Sequence, residues 1–191
     1  MHRFRTHDLK TYLRAVDSHL DAPFRLIVIG GSAALLGYGI SRVTQDIDTW
    51  DNEHSKIRDA LELARKETGL EIPIQHPGVQ DGPYFLEDRL KRICFRGLCK
   101  LMIQVPEKHD LVLMKMIRGE QPDMEVAEEI KTKRGLSSET LTKRYLEEMS
   151  HVVGDSRRLD LNFLALMDRL FGTEIREHAQ RQLKSSRPRP R

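Results

Sequence analysis

Apolar residues recur at helical spacing at both ends of the chain, with short apolar runs between them. Leu9, Leu13, Val16 and Leu20 lie three or four residues apart, which predicts an amphipathic helix over 6–20. Similar patterns predict further helices over about 53–68, 107–117, 122–133, 138–150 and 156–171. Short runs bounded by glycine, proline or polar residues predict strands over 24–29, 46–50, 70–75 and 99–105. Strands therefore concentrate in the first 105 residues and helices in the rest.

This order of elements predicts an α/β (α+β) fold in which a small mixed β-sheet is flanked by helices and a C-terminal helical bundle packs on it. We expect a core over residues 1–106, a helical part over 107–180 and a disordered basic tail over 181–191. The tail holds five basic residues and no acid. Its charge of +5 therefore exceeds the formal net charge of +3 for the whole chain. Such a tail is either a solvated terminus or a contact for a phosphate backbone.

Composition bears on the compartment in which the protein is expected to work. The longest apolar stretch, residues 26–37, is interrupted by Gly30, Gly31 and Ser32 and is too short to span a bilayer. No apolar secretion signal follows the N-terminus, so we expect a cytoplasmic protein with no membrane partner. Cys94 and Cys99 are predicted to face each other across a hairpin, and a cytoplasmic setting favours free thiols over a disulfide.

Two carboxylates lie on one predicted strand, Asp46 and Asp48. Alternation along a strand places residues i and i+2 on the same face. Two carboxylates side by side repel each other unless a cation lies between them, and hard oxygen ligands of this kind suit Mg²⁺. The pair therefore predicts a magnesium site.

A glycine turn precedes these aspartates. Gly30-Gly31-Ser32 follows the apolar segment 26–29 and begins a predicted helix, where free backbone N–H groups can bind a phosphate. Tight packing of helix on strand would also explain the glycines, and the Ser32 hydroxyl either caps the helix or meets a phosphate. A pair of metal-binding carboxylates beside a phosphate-binding turn favours nucleotidyl or phosphoryl transfer.

Taken together, these residues resemble the signature of the nucleotidyltransferase superfamily that includes DNA polymerase β. The closer resemblance is to the AbiEii-type branch, the toxin components of some phage-defence and toxin–antitoxin systems. It covers roughly residues 24–130. The segments that carry it are Gly30-Gly31-Ser32-Ala33, Arg42-Val43-Thr44-Gln45-Asp46-Ile47-Asp48, Lys115, Arg118 and Asp123.

The resemblance implies a Mg²⁺-dependent enzyme that moves a nucleoside monophosphate from an NTP to an acceptor hydroxyl on RNA, such as a tRNA end, or on a protein. It also implies an antitoxin or another cognate protein as a partner. Asp46 and Asp48 would hold the metal, and Lys115 and Asp123 would join them in catalysis. The implied nucleotide-binding residues are Gly30, Gly31, Ser32, Arg42, Thr44 and Arg118. Arg42 would neutralise triphosphate charge or pair with Asp46.

One departure from the family pattern stands out. The wider superfamily places a third carboxylate on a neighbouring strand, and the strand expected here, 99–105, carries none. Glu107 and Asp110 follow it on a predicted helix, and in the AbiEii-like interpretation Asp123 supplies the missing acid. The alternative is a catalytically silent nucleotide-binding module that acts as an antitoxin or a regulatory partner.

Overall fold

The computed structural model describes residues 3–78 and 81–186. They form a mixed α/β fold, as predicted. Eight α-helices lie in these ranges: α1 Thr6–His19, α2 Gly30–Tyr38, α3 Arg58–Thr68, α4 Lys108–Arg118, α5 Gln121–Arg134, α6 Ser138–Glu148, α7 Ser156–Phe171 and α8 Thr173–Ser186. The strands are β1 Phe24–Ile27, β2 Ile47–Asp48, β3 Ile74–Gln75, β4 Lys91–Ile93 and β5 Leu101–Val105.

The chain divides into two compact units. The first comprises residues 1–80 and 89–106, and the second comprises 81–88 and 107–191. All five strands lie in the first unit, together with α1, α2 and α3. The short segment 81–88 belongs with the helices, which the sequence pattern did not indicate. No helix in the described ranges is long and apolar enough to cross a membrane.

The strands of the first unit form two groups, a three-stranded sheet and a two-stranded sheet. In one group β5 lies between β1, which is parallel to it, and β4, which is antiparallel. In the other, β2 runs parallel to β3. The groups meet at an antiparallel bridge between Val28 and Thr49, where the Ile29 N–H donates to the Asp48 carbonyl at 2.9 Å. The glycine turn after β1 thus begins beside the aspartate strand.

The core of this unit uses the apolar stripe predicted for the first helix. Leu9, Leu13 and Val16 are fully buried, and α1 packs against α3 and β5. Burying a side chain of this size stabilises the fold by about 1.5–3 kcal/mol. Gly37 lies inside α2 because a Cβ there would approach Val105 to 2.9 Å. The absence of a side chain therefore lets α2 pack closely on β5.

A buried acid, Asp17, fixes the entrance to β5. Its carboxylate accepts backbone N–H groups from Cys99 at 2.9 Å and Lys100 at 2.7 Å, and from Leu101. Burying a carboxylate is costly unless its oxygens are hydrogen-bonded, and here three donors meet it. Asp17 therefore holds the connection between β4 and β5 against α1.

The predicted facing of the two cysteines is wrong. β4 and β5 pair with Ile93 opposite Ile103, so Cys94 and Cys99 lie in the connection after the last strand pair. Both are exposed free thiols. The alternating burial of β5 sets this register, and Asp17 holds the wide connection that results.

The second unit contains a helix that the sequence analysis did not predict. Gly172 ends α7 with a φ of +87°, and α8 follows directly from Thr173. Its buried residues, Ala179 and Leu183, lie one helical turn apart. Residues 181–186 of the predicted disordered tail are thus helical, and residues 187–191 lie outside the described ranges. The domain boundaries themselves remain a prediction.

Candidate active site

Asp46 and Asp48 direct their carboxylates toward one donor. The Gln75 side-chain amide donates from Nε2 to Asp46 Oδ2 at 3.0 Å and to Asp48 Oδ1 at 3.4 Å. Because β2 and β3 are parallel, with Asp48 beside Gln75, the three side chains meet at one edge of the sheet. The two aspartates thus lie on the same side of their strand, as alternation requires.

The chain that leads into β2 is firmly held. Thr44 forms an antiparallel bridge with Phe4, with N–O distances of 2.7 and 2.9 Å. Its hydroxyl donates to the Asp46 carbonyl at 3.1 Å. Burial raises the pKa of Asp46, and a hydrogen bond from Thr44 opposes that rise. The observed role of Thr44 is to position Asp46, and nucleotide binding by Thr44 remains a prediction.

The glycine turn presses the start of α2 onto Asp48. Gly30 is the first residue of the helix and has a φ of +66°, and a Cβ there would lie 2.9 Å from Asp48 Oδ2. A Cβ on Gly31 would lie 3.3 Å from Thr44 Oγ1. The first N–H groups of a helix have no partner within the helix and carry partial positive charge. Close packing against Asp48 and helix N–H groups without partners inside the helix therefore occur together at this turn.

Ser32 does not cap this helix. The N-cap residue is Ile29, and no side chain caps it. The Ser32 hydroxyl is buried and donates to the Ile29 carbonyl at 3.1 Å. The capping alternative is therefore wrong, and phosphate binding by Ser32 remains a prediction. Nucleotide binding by Arg42, a partly buried residue in the connection before β2, also remains a prediction.

Lys115, Arg118 and Asp123 form an ion cluster inside the second unit. Arg118 donates to both Asp123 oxygens at 2.7 and 2.9 Å, and the Lys115 ammonium lies 3.2 Å from Oδ1. Burial by itself would raise the pKa of Asp123, but Arg118 and Lys115 outweigh burial and lower it. The Asp123 side chain is 3% exposed, so the cluster explains how its charge is tolerated. Its contribution to catalysis or nucleotide binding remains a prediction.

Glu107 and Asp110 are both bound to one arginine in the second unit. Glu107 is the N-cap of α4, and Arg144 donates to it at 2.6 Å and to the fully buried Asp110 at 2.8 Å. Burial would raise the pKa of Glu107, but hydrogen bonds from His109 and Arg144 outweigh it and lower the pKa to about 2. Both acids thus have a structural function that accounts for their burial.

Glu107 should make stability depend on pH in acid. Its pKa falls from 4.5 to about 2 on folding, so its contribution is fully present above pH 4.5 and is lost as the pH falls toward 2. We expect Glu107→Gln to lower the free energy of unfolding at pH 7, by on the order of 3 kcal/mol, and to flatten its fall between those pH values. Urea unfolding across that range measures this. The exposed Glu139→Gln, on α6, is the control, and an equal pH profile for the two variants would contradict the prediction.

The strand paired with β2 is β3, and not the strand over 99–105 on which a third carboxylate was expected. β5 pairs with β1 and β4, whereas β2 pairs with β3, and β3 presents Gln75 next to Asp48. No group of three or more histidine, cysteine, aspartate or glutamate side chains suited to a metal is found among residues 3–78 and 81–186. Gln75 had no predicted role. The one available signal was a polar residue at the end of the predicted strand 70–75.

Two carboxylates on a short strand, set against a glycine-opened helix, form the arrangement expected of a nucleotidyltransferase. Residues 5–168 match the model of the family described as "Nucleotidyltransferase of unknown function (DUF6036)", and the chain belongs to that family. The superfamily prediction is thereby confirmed, and the closer AbiEii-type assignment remains a prediction. No curated protein and no solved structure matches the chain.

Proposed function

We propose that this protein is a Mg²⁺-dependent nucleotidyltransferase that moves a nucleoside monophosphate from an NTP to an acceptor hydroxyl. One observation carries the proposal. Asp46 and Asp48 converge on a single donor, while Asp48 also lies against the first residue of α2. A cation site and a phosphate-binding helix terminus are then adjacent within one unit of the fold.

The residues present fit a magnesium ion. Gln75 Nε2 places a partly positive group between the two carboxylates, where a cation would satisfy the same oxygens. Asp46 and Asp48 would hold the ion through hard oxygen ligands of the kind that Mg²⁺ prefers. When bound, Mg²⁺ offsets the charge of the triphosphate and of the leaving pyrophosphate.

The chain itself supplies binding and orientation. The N–H groups at the start of α2 bind phosphate oxygens, and the close approach of Gly30 to Asp48 fixes those phosphates relative to the carboxylates. The acceptor hydroxyl oxygen attacks the α-phosphorus, the bond from that phosphorus to the β-phosphate oxygen breaks, and pyrophosphate leaves. The hydroxyl proton passes to a carboxylate of the site, Asp46 or Asp48.

Label transfer tests this function. The protein is incubated with each α-labelled NTP and Mg²⁺, with total cell RNA or with added protein. We expect label on one class of acceptor and none in the presence of EDTA. Label on RNA identifies a nucleic-acid acceptor and label on protein identifies a protein acceptor. The absence of label on both, with nucleotide still bound, would contradict the enzyme assignment.

That last result would favour the second candidate, a catalytically silent nucleotide-binding module. The observation behind it is the amide of Gln75, which occupies the position beside Asp48 on the neighbouring strand. A neutral amide cannot contribute the charge of a third carboxylate. The silent module retains nucleotide binding at the α2 terminus and has no transfer activity with either acceptor.

The toxin role rests on the AbiEii-type resemblance alone. It predicts that production of the chain in a bacterial host slows growth and that a cognate antitoxin restores it. A variant that lacks the Asp48 carboxylate would then be harmless. Equal growth with the original chain and this variant would remove the toxin proposal and leave the transfer activity to be judged by the label assay.

A further inference from the structure

Gln75 lies where a cation would be expected, and its amide bonds both carboxylates of the proposed metal site. We propose that Gln75 is a latch on this site: it holds Asp46 and Asp48 in the metal-free protein and must release them before a divalent cation binds. The inference rests on the proposed function, because it assumes that the two aspartates take a metal. It adds a residue that controls how readily they do so.

The main chain of Gln75 is fixed, so release involves its side chain. The Gln75 carbonyl accepts the Thr49 N–H at 2.8 Å. Its neighbour His76 contacts the Thr49 carbonyl through Nδ1 at 3.2 Å. The Gln75 side chain is exposed, so rotation about its own torsions can carry the amide away without disturbing β3.

The chemistry of the amide makes it a competitor of the cation. Its nitrogen carries two N–H groups and no acceptor, so it satisfies carboxylate oxygens and cannot ligate a metal. Hydrogen bonds to charged acceptors are stronger than those between neutral groups, so the amide stabilises the two carboxylates. Because the amide is neutral, it compensates their negative charge only in part. The latch therefore stabilises the metal-free site, and the free energy of breaking its hydrogen bonds is subtracted from cation binding.

Three variants test the latch without an activity assay. Gln75→Ala removes the amide, and Gln75→Glu replaces it with a third carboxylate. Gln45→Ala removes an exposed glutamine next to Asp46 and serves as the matched control. Mn²⁺, used alone as the probe, is titrated by electron paramagnetic resonance, and the metal-free unfolding temperature of each protein is measured. Because Gln75 is exposed, we expect each variant to fold.

We expect Gln75→Ala to bind Mn²⁺ roughly five- to tenfold more tightly than the original chain, a modest change because water replaces much of what the two lost hydrogen bonds contributed. Its metal-free unfolding temperature should fall, because the carboxylates lose their shared donor. Gln75→Glu should bind Mn²⁺ most tightly and be the least stable without metal, since three acids then repel one another. Gln45→Ala should match the original chain in both measurements.

Weaker Mn²⁺ binding by Gln75→Ala would overturn the latch, since the side chain would then be a ligand. Unchanged affinity and unfolding temperature would also overturn it, and the metal site would stand. If none of the proteins binds Mn²⁺, including Gln75→Glu, the proposed metal site fails together with the latch. The three outcomes therefore separate failure of the inference from failure of the proposed function.

Discussion

Asp48→Ala is expected to lower nucleotidyl transfer about a thousandfold, which corresponds to several kcal/mol of transition-state stabilisation. Asp48 supplies two features that the proposed reaction needs, a carboxylate ligand for Mg²⁺ and a close approach to Gly30 at the start of α2. Removing its carboxylate leaves one acid to hold Mg²⁺ and takes away the negative side chain at the start of α2. Initial rates of label transfer at saturating NTP measure the effect. Asp46→Ala should lose activity to a similar extent.

Asp59→Ala is the matched control for both aspartate variants. Asp59 is an exposed acid in the first turn of α3, within the same unit of the fold. Its replacement removes the same charge from the unit and should leave transfer within about twofold, because an exposed charge is largely screened by salt. If Asp46→Ala or Asp48→Ala retained the rate of this control, the metal assignment would be wrong.

Gly30→Ala is expected to reduce the rate of transfer by about a hundredfold, because displacing a group in an active site by about 1 Å can lower the rate that much. The new Cβ would lie 2.9 Å from Asp48 Oδ2, so the carboxylate or the start of α2 must move. Alanine at a φ of +66° also adds backbone strain of roughly 1–2 kcal/mol. We expect a lower unfolding temperature together with weaker Mn²⁺ and nucleotide binding.

Gly69→Ala separates these two effects. Gly69 has a φ of +67°, and a Cβ there meets nothing within 4 Å. The two variants therefore share the backbone strain, and only Gly30→Ala disturbs the carboxylate. Gly69→Ala should lower the unfolding temperature and leave metal binding and transfer unchanged. Equal transfer rates in the two variants would show that the contact between Gly30 and Asp48 has no part in the activity.

Much of the fold could be predicted because its signals are local. The helical stripe at Leu9, Leu13 and Val16 gave α1 to within one residue at its end, and the pattern over 156–171 gave α7 in full. Periodicity of side chains is a property of neighbouring residues, and so the sequence alone shows it. α8 was missed although Ile175, Ala179 and Leu183 lie four residues apart, because the basic composition of residues 181–191 predicted a disordered tail.

The pairing of distant segments could not be read in the same way. The sequence analysis placed the neighbour of the aspartate strand at 99–105, whereas β3 occupies that position. Both segments have short apolar patterns, and nothing local decides which one pairs with β2. The same limit applies to Glu107 and Asp110, whose link to Arg144 joins α4 to α6.

Local sequence was enough to identify the two carboxylates at i and i+2, the glycine turn before a helix, and the superfamily to which these belong. Strand alternation and glycine backbone freedom are local properties, which is why those residues are sufficient evidence. Three contacts are visible only in the folded protein: Asp48 lies against Gly30, Gln75 bonds both aspartates, and Asp123 is held by Lys115 and Arg118. These contacts depend on strand register and helix packing, which are set by the burial of the whole core.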